Sequence, residues 1–131
     1  MRTEKTTIPP SSRDDVTGDA IVTKTVLITG AGSGFGKGAS LALAERGHHV
    51  ISTTETEDQA AELRAEAPQL TVEKLDITSA DVTKAKGWDI DVLINNAGVG
   101  QTGPMADVPI DRVRRLFEVN VFGTLAMTQS V

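Results

Sequence analysis

The sequence predicts an α/β fold: a doubly wound parallel sheet with helices on both faces, occupying residues 24–131. Three observations carry that expectation. Short apolar runs recur along the chain, among them Val26-Leu27-Ile28 and Val92-Leu93-Ile94, and stretches with helical spacing separate them. The first run passes directly into the glycine-rich turn Thr29-Gly30-Ala31-Gly32-Ser33-Gly34-Phe35-Gly36, then into a helix-like segment. Aromatic residues make up only 3% of the chain, so the core must rest on Val, Ile, Leu and Ala. Strands alternating with helices call for right-handed crossovers, which place the four strands in spatial order 3-2-1-4.

Taken in order, Met1 to about Thr23 reads as a flexible tail, rich in Thr, Ser, Arg and Asp, with Ile8-Pro9-Pro10 blocking regular structure. Thr25 to Thr29 reads as a buried strand. A helix follows from about Gly34 to Arg46, with Gly47 as its stop. His49 to Thr53 is the second strand. Thr56 to Ala67 is a helix that Thr56 can cap and Pro68 closes. Leu70 to Leu75 alternates as a third strand, and Ser79 to Lys86 forms a short helix. Val92 to Ile94 is the fourth strand, ending at Asn95-Asn96-Ala97-Gly98, and Gly100 to Pro104 is loop. Pro109 to Val131 has a long helical pattern whose apolar side comprises Ile110, Val113, Leu116, Phe117, Val121, Leu125 and Ala126.

Composition narrows the function. A chain of 131 residues suffices for one domain with a core. Its formal net charge of −5 argues against a nucleic-acid partner, which needs a basic face. There is no cysteine, hence no disulfide and no thiolate metal site, in keeping with a cytoplasmic location. No apolar run is long enough for a membrane span, and the first residues do not resemble a secretion signal. His48 and His49 are neighbours at a strand start, so their side chains point to opposite faces and no metal role is expected.

The glycine-rich turn carries the chemistry. Glycine permits positive φ and close approach of a ligand to the backbone, and the following helix aims its unpaired N–H groups and positive dipole end at that point. A pyrophosphate fits this setting. Gly30, Gly34 and Gly36 are spaced G-x-x-x-G-x-G; the G-x-G-x-x-G spacing from Gly30 and Gly32 would put Phe35 at its last place. The phosphate loop of nucleotide hydrolases needs G-x-x-x-x-G-K-[ST], and Ala31 and Gly38 occupy two of its required positions, so it fails here.

With the turn placed beside Asn95-Asn96-Ala97-Gly98, Leu75-Asp76-Ile77-Thr78 and Glu118-Val119-Asn120-Val121-Phe122-Gly123, the chain from about Lys24 to Val131 resembles the short-chain dehydrogenase/reductase family. The resemblance implies a Rossmann-type sheet that binds NAD or NADP and moves hydride to or from an alcohol or carbonyl carbon. It implies that Gly30, Ser33, Gly34, Phe35 and Gly36 wrap the pyrophosphate and adenosine ribose. Asp76 would accept from the adenine amino group with the Ile77 backbone beside it, and Asn96, Ala97 and Gly98 would line the adenosine side. Asn120 matches the asparagine that supports the family's proton relay. On their own, Asp76 reads equally as a turn cap, and Asn96 as a residue satisfying loop backbone.

Cofactor choice turns on the end of the second strand, where an acid binds the ribose 2′-OH and repels a 2′-phosphate. The family's selecting Asp would fall at Thr54 and its selecting Arg at Glu55; neither is present. Glu55 lies about 20 residues past the glycines, where a ribose-binding acid is expected, and favours NAD. The Ser, Tyr and Lys that the family uses for proton transfer lie beyond these elements, and the chain has no tyrosine. The expectation is therefore a partial dinucleotide-binding domain, cut short after the fourth strand and following helix and inactive by itself. The alternative is a non-catalytic nucleotide-binding or protein-interaction module. In the family the helix matching Pro109 to Val131 often packs against its copy, so a homo-oligomer through it is expected.

Overall fold

The computed structural model describes residues 21–131. The tail expected at Met1 to Thr23 therefore lies outside the described residues except at its last positions, and the first element begins at Thr25.

Four strands form one parallel sheet: β1 (Thr25–Ile28), β2 (His49–Thr54), β3 (Thr71–Lys74) and β4 (Val92–Ile94), in the order β3-β2-β1-β4. Leu27 pairs with Ile51 on one side and Leu93 on the other, and Ser52 pairs with Val72. This is the expected order. The alternating pleat divides the core into two layers. Val26, Ile28 and Val50 point to one face, where they meet Ala60, Leu63 and Ala67. Leu27 and Ile51 point to the other, among Leu75, Ile77, Val119 and Met127. Burial on both faces is why β1 reads as a continuous apolar run.

Helices α1 (Gly34–Glu45) and α2 (Glu57–Glu66) cover the first face. Gly47 ends α1 with φ +85°, its N–H donating to the Ala44 carbonyl at 3.0 Å. Thr56 caps α2 as expected: its hydroxyl accepts from the Gln59 N–H, and the Gln59 side chain accepts from the Thr56 N–H, each at 3.3 Å. Glu57 and Asp58 add negative charge to the first turn, where the helix dipole favours it. Between α1 and β2, the buried Ser52 hydroxyl donates to Ser40, which donates to the Gly36 carbonyl.

The short helix expected from Ser79 to Lys86 is the 3-10 helix Ala80–Gly87. Its side chains compete for the backbone: Ser79 Oγ accepts from the Asp81 N–H, and Thr83 Oγ1 donates to the Ala80 carbonyl. The long C-terminal helix is three pieces: α3 (Ile110–Phe117), a π-helical segment (Glu118–Gly123) and α4 (Thr124–Gln129). Its packed side is also not the one expected. Val119, Gly123 and Met127 are buried, whereas Ile110, Phe117, Val121 and Leu125 are exposed and Val113, Leu116 and Ala126 are half-buried. Apolar residues lie nearly all round this helix, and the wider π turn advances the phase, so spacing alone misplaced the contact face. Among the described residues no helix is long and apolar enough to cross a membrane.

Asp81 ties the 3-10 run back to the sheet. The Lys74 ammonium donates to its carboxylate, and the Asp76 N–H donates at 3.3 Å. These bonds, the lysine's first, lower its pKa from 3.8 to about 2. A carboxylate with a depressed folded pKa adds stability above its unfolded value and loses it as pH falls through the folded one. Urea unfolding at stepped pH should show the wild type losing stability between about pH 4 and pH 2 more steeply than Asp81→Asn. Parallel profiles would show that this carboxylate does not titrate with folding.

Candidate functional site

All four strands are parallel, so their carboxyl ends and the loops leaving them share one edge of the sheet, where ligands bind in open α/β folds. A cleft of about 460 Å³ opens there.

Its floor is a clamp between the ends of β1 and β4. Thr29 is buried, and its Oγ1 accepts from the backbone N–H groups of Asn96 and Ala97, both at 3.1 Å. The Asn96 amide returns the contact, donating to the carbonyls of Thr29 at 3.0 Å and Gly30 at 2.9 Å. Gly30 has φ +63°, and a Cβ there would lie 2.7 Å from Ala97 Cα. A Cβ on Gly36 would strike the Asn96 amide and lie 2.7 Å from the Gly30 carbonyl oxygen. These glycines let the turn seat against β4. Gly34 differs: it too has positive φ, at +56°, but faces open space.

The start of α1 suits an anion. Ser33, the residue before it, is extended and makes no side-chain cap, and no acidic residue stands in the first turn. The first N–H groups thus keep their donor capacity, and the dipole's positive end is not neutralised locally. Across the cleft, Asp76 Oδ1 accepts from both the N–H and the hydroxyl of Thr78 at 2.8 Å. That is the turn-capping role, and it involves one carboxylate oxygen; Asp76 also lines the cleft. Ile77 is buried, and Gly123 packs on it so closely that a Cβ would lie 2.8 Å from Ile77 Cγ1.

Of the residues expected from sequence, Gly30, Ser33, Glu55, Asp76, Ile77, Asn96, Ala97 and Gly98 line the cleft. Gly34, Phe35 and Gly36 do not; they form the helix start beside it, and the Phe35 side chain is 94% exposed. Asn120 stands behind the wall. Its amide donates to the Val99 carbonyl and accepts from the Val99 N–H, both at 2.8 Å, so the side chain is engaged in holding the β4 loop. Sequence reasoning missed Gly32, Thr54, Val119 and Arg115, all lining residues. Gly32 and Thr54 adjoin expected positions. Arg115 is one of three arginines on α3, and helical spacing does not say which one reaches the cleft. His48 Nδ1 accepts from the Lys24 N–H while His49 meets Thr71, and no cluster of metal-binding side chains exists among the described residues.

The parallel four-stranded sheet and its edge cleft define a Rossmann-like α/β domain. The chain matches the short chain dehydrogenase family over residues 24–131 and belongs to that family. It is 38% identical over 120 residues to the uncharacterized oxidoreductase YusZ of Bacillus subtilis, covering 82% of this chain and 42% of that protein. It is 38% identical over 111 residues to the 1-deoxy-11-beta-hydroxypentalenate dehydrogenase of Streptomyces exfoliatus, covering 75% of this chain and 40% of that one. Among solved structures, a short-chain dehydrogenase from Streptomyces avermitilis superposes with a TM-score of 0.74 at 32% identity, over 83% of this chain and 43% of the other. A serine dehydrogenase in closed form, complexed with NADP+, superposes with a TM-score of 0.74 at 29% identity, over 82% and 47%. The chain thus spans less than half the length of these relatives.

The glycines of the turn are separable by experiment. Gly36→Ala should destabilise the fold by about 1–3 kcal/mol, the usual result of overpacking. Gly38→Ala, in the same helix with open space at its Cβ, should stabilise it by about 0.5–1 kcal/mol. Denaturant melts of both variants check this; equal effects would show that the Asn96 contact does not constrain the turn.

Proposed function

We propose that this chain is the cofactor-binding part of an NAD(P)-dependent short-chain oxidoreductase. The observation that carries the reading is the uncapped, acid-free start of α1 lying beside a cleft whose floor is clamped by Thr29 and Asn96. The N–H groups from Ser33 to Gly36 would hold the pyrophosphate, with Gly30 and Gly34 supplying the backbone path. Asp76 would accept from the adenine amino group through Oδ2, since Oδ1 serves Thr78. The Ile77 backbone, Asn96, Ala97 and Gly98 would flank the adenosine. Glu55 would accept from the ribose hydroxyls, which favours NAD over NADP.

The bound nicotinamide would supply hydride exchange with an alcohol or carbonyl carbon. This chain's own contribution is to bind and orient the adenosine half. Asn120 is a positioning residue that fixes Val99 and thereby the wall of the cleft. None of these residues is placed as an acid or base for the substrate, so the 131-residue chain would not turn over by itself. Loss of a placed acid–base group removes about 10²–10⁴ in rate from that term alone. A cytoplasmic location agrees with the absence of cysteine.

Titration calorimetry with ADP-ribose should detect weak binding to the wild type. Gly34→Val should abolish it by filling the open space beside the helix start. Dehydrogenase assays with NAD and NADP over simple alcohols and ketones should stay at blank. Unchanged binding in the variant would remove the glycine turn from the reading, and turnover would show that an acid–base group had been overlooked.

One observation favours a second role beside the first. Phe117, Val121, Phe122 and Leu125 are exposed along the π segment and the helices flanking it, an apolar surface suited to a second copy or to further chain. Light scattering on the purified 131-residue chain should report self-association. A monodisperse monomer would count against an interaction role for this helix.

A further inference from the structure

Among the described residues lining the cleft, Arg115 alone carries positive charge, whereas Glu55, Glu62 and Asp76 carry negative charge. Its guanidinium reaches across the mouth of the cleft. Nη2 donates to Glu55 Oε1 at 2.8 Å, and Nη1 reaches Thr78 Oγ1 at 3.4 Å. Arg115 on α3 therefore bridges the loop after β2 and the loop after β3. The two charged side chains are 49% and 53% exposed. A pair this exposed adds little to folding and can exchange partners. An arginine fork suits a phosphate as well as it suits a carboxylate.

The geometry points to a cofactor-selecting clasp. Glu55 and Arg115 together, rather than Glu55 alone, decide between a dinucleotide with a bare adenosine ribose and one bearing a 2′-phosphate. Glu55 occupies the guanidinium that a 2′-phosphate would need, and keeps Oε2 for a ribose hydroxyl. A 2′-phosphate entering here would have to displace Glu55 from Arg115 and then sit beside the displaced carboxylate. A bare ribose leaves the ion pair intact. Arg115 is thus a phosphate ligand held in reserve, and its occupation by Glu55 sets the preference for the unphosphorylated cofactor. This rests on the reading of the cleft as a dinucleotide site.

A double-mutant cycle separates the clasp from simple repulsion by Glu55. Calorimetry with NAD+ and NADP+ would be run on the 131-residue chain as wild type, Glu55→Gln, Arg115→Gln and the double variant. Glutamine keeps the shape of Glu55, and at Arg115 it removes the guanidinium while leaving a polar side chain. The wild type should prefer NAD+. Glu55→Gln should raise NADP+ affinity about tenfold, the order expected when a freed guanidinium gains a charge-assisted contact. In the Arg115→Gln background the same substitution should give about twofold or less, and Arg115→Lys should recover part of the gain through its charge. Equal gains with and without Arg115 would overturn the clasp and leave Glu55 acting by repulsion alone. No gain in Glu55→Gln would overturn it as well, because the arginine would then not reach the phosphate. Failure of the wild type to bind either nucleotide would overturn the cofactor reading itself, and the clasp with it.

Discussion

The reciprocal hydrogen bonding between Thr29 and Asn96 is the constraint on which the cleft depends. A parallel sheet leaves the ends of β1 and β4 side by side, and backbone bonds from Thr29 N–H to the Ile94 carbonyl and from Ala31 N–H to the Thr53 carbonyl carry the pairing just past them. Four side-chain bonds join the loops themselves: two from backbone N–H groups into the Thr29 hydroxyl, and two from the Asn96 amide into the carbonyls of Thr29 and Gly30. Thr29 is buried, so these polar groups would be costly to leave unpaired. The clamp brings the glycine turn against β4 so tightly that Gly30 and Gly36 have no room for a side chain. The start of α1 is thereby held beside the cleft, with its first N–H groups uncapped by a side chain.

The second face of the sheet builds the opposite wall. Met127 and Val119 anchor the C-terminal helical segments on Leu27, Ile51 and Ile77. Gly123 permits the close contact with Ile77, which in turn holds the loop carrying Asp76. The π segment sets Asn120 one turn beyond Arg115, and the two serve different ends. Asn120 is spent on Val99, while Arg115 projects into the cleft mouth and meets Glu55. Floor, wall and mouth are each fixed by a different helix or loop, but all lie at the carboxyl edge of one small sheet.

What could be read beforehand follows from the range of the forces involved. The strands and their order were legible because each is an apolar run in a βα alternation with few permitted topologies. The α2 start was legible because its cap is local, made within Thr56-Glu57-Asp58-Gln59. The glycine turn and the Asp76 and Asn96 positions were legible through residue types that demand a particular backbone or turn. The packed face of the last helix was not, because Phe117, Val121, Phe122 and Leu125 are as apolar as the residues that pack, and the π turn shifts the phase. The 3-10 form of Ala80–Gly87 depends on side-chain oxygens bonding nearby backbone, which leaves only a faint trace in spacing. Arg115 meets Glu55 across 60 positions of sequence, and no local pattern encodes such a contact.

The central claim is that the edge cleft, and no other surface, receives the adenosine half of a dinucleotide. Amide chemical-shift mapping of the isotope-labelled chain during titration with ADP-ribose tests it most directly. Shifts should concentrate at Gly30, Gly32, Ser33, Ile77, Ala97 and Gly98, with the exposed Phe117, Val121, Phe122 and Leu125 unaffected. Shifts centred on that helical surface, or none at the glycine turn at saturating ligand, would contradict it.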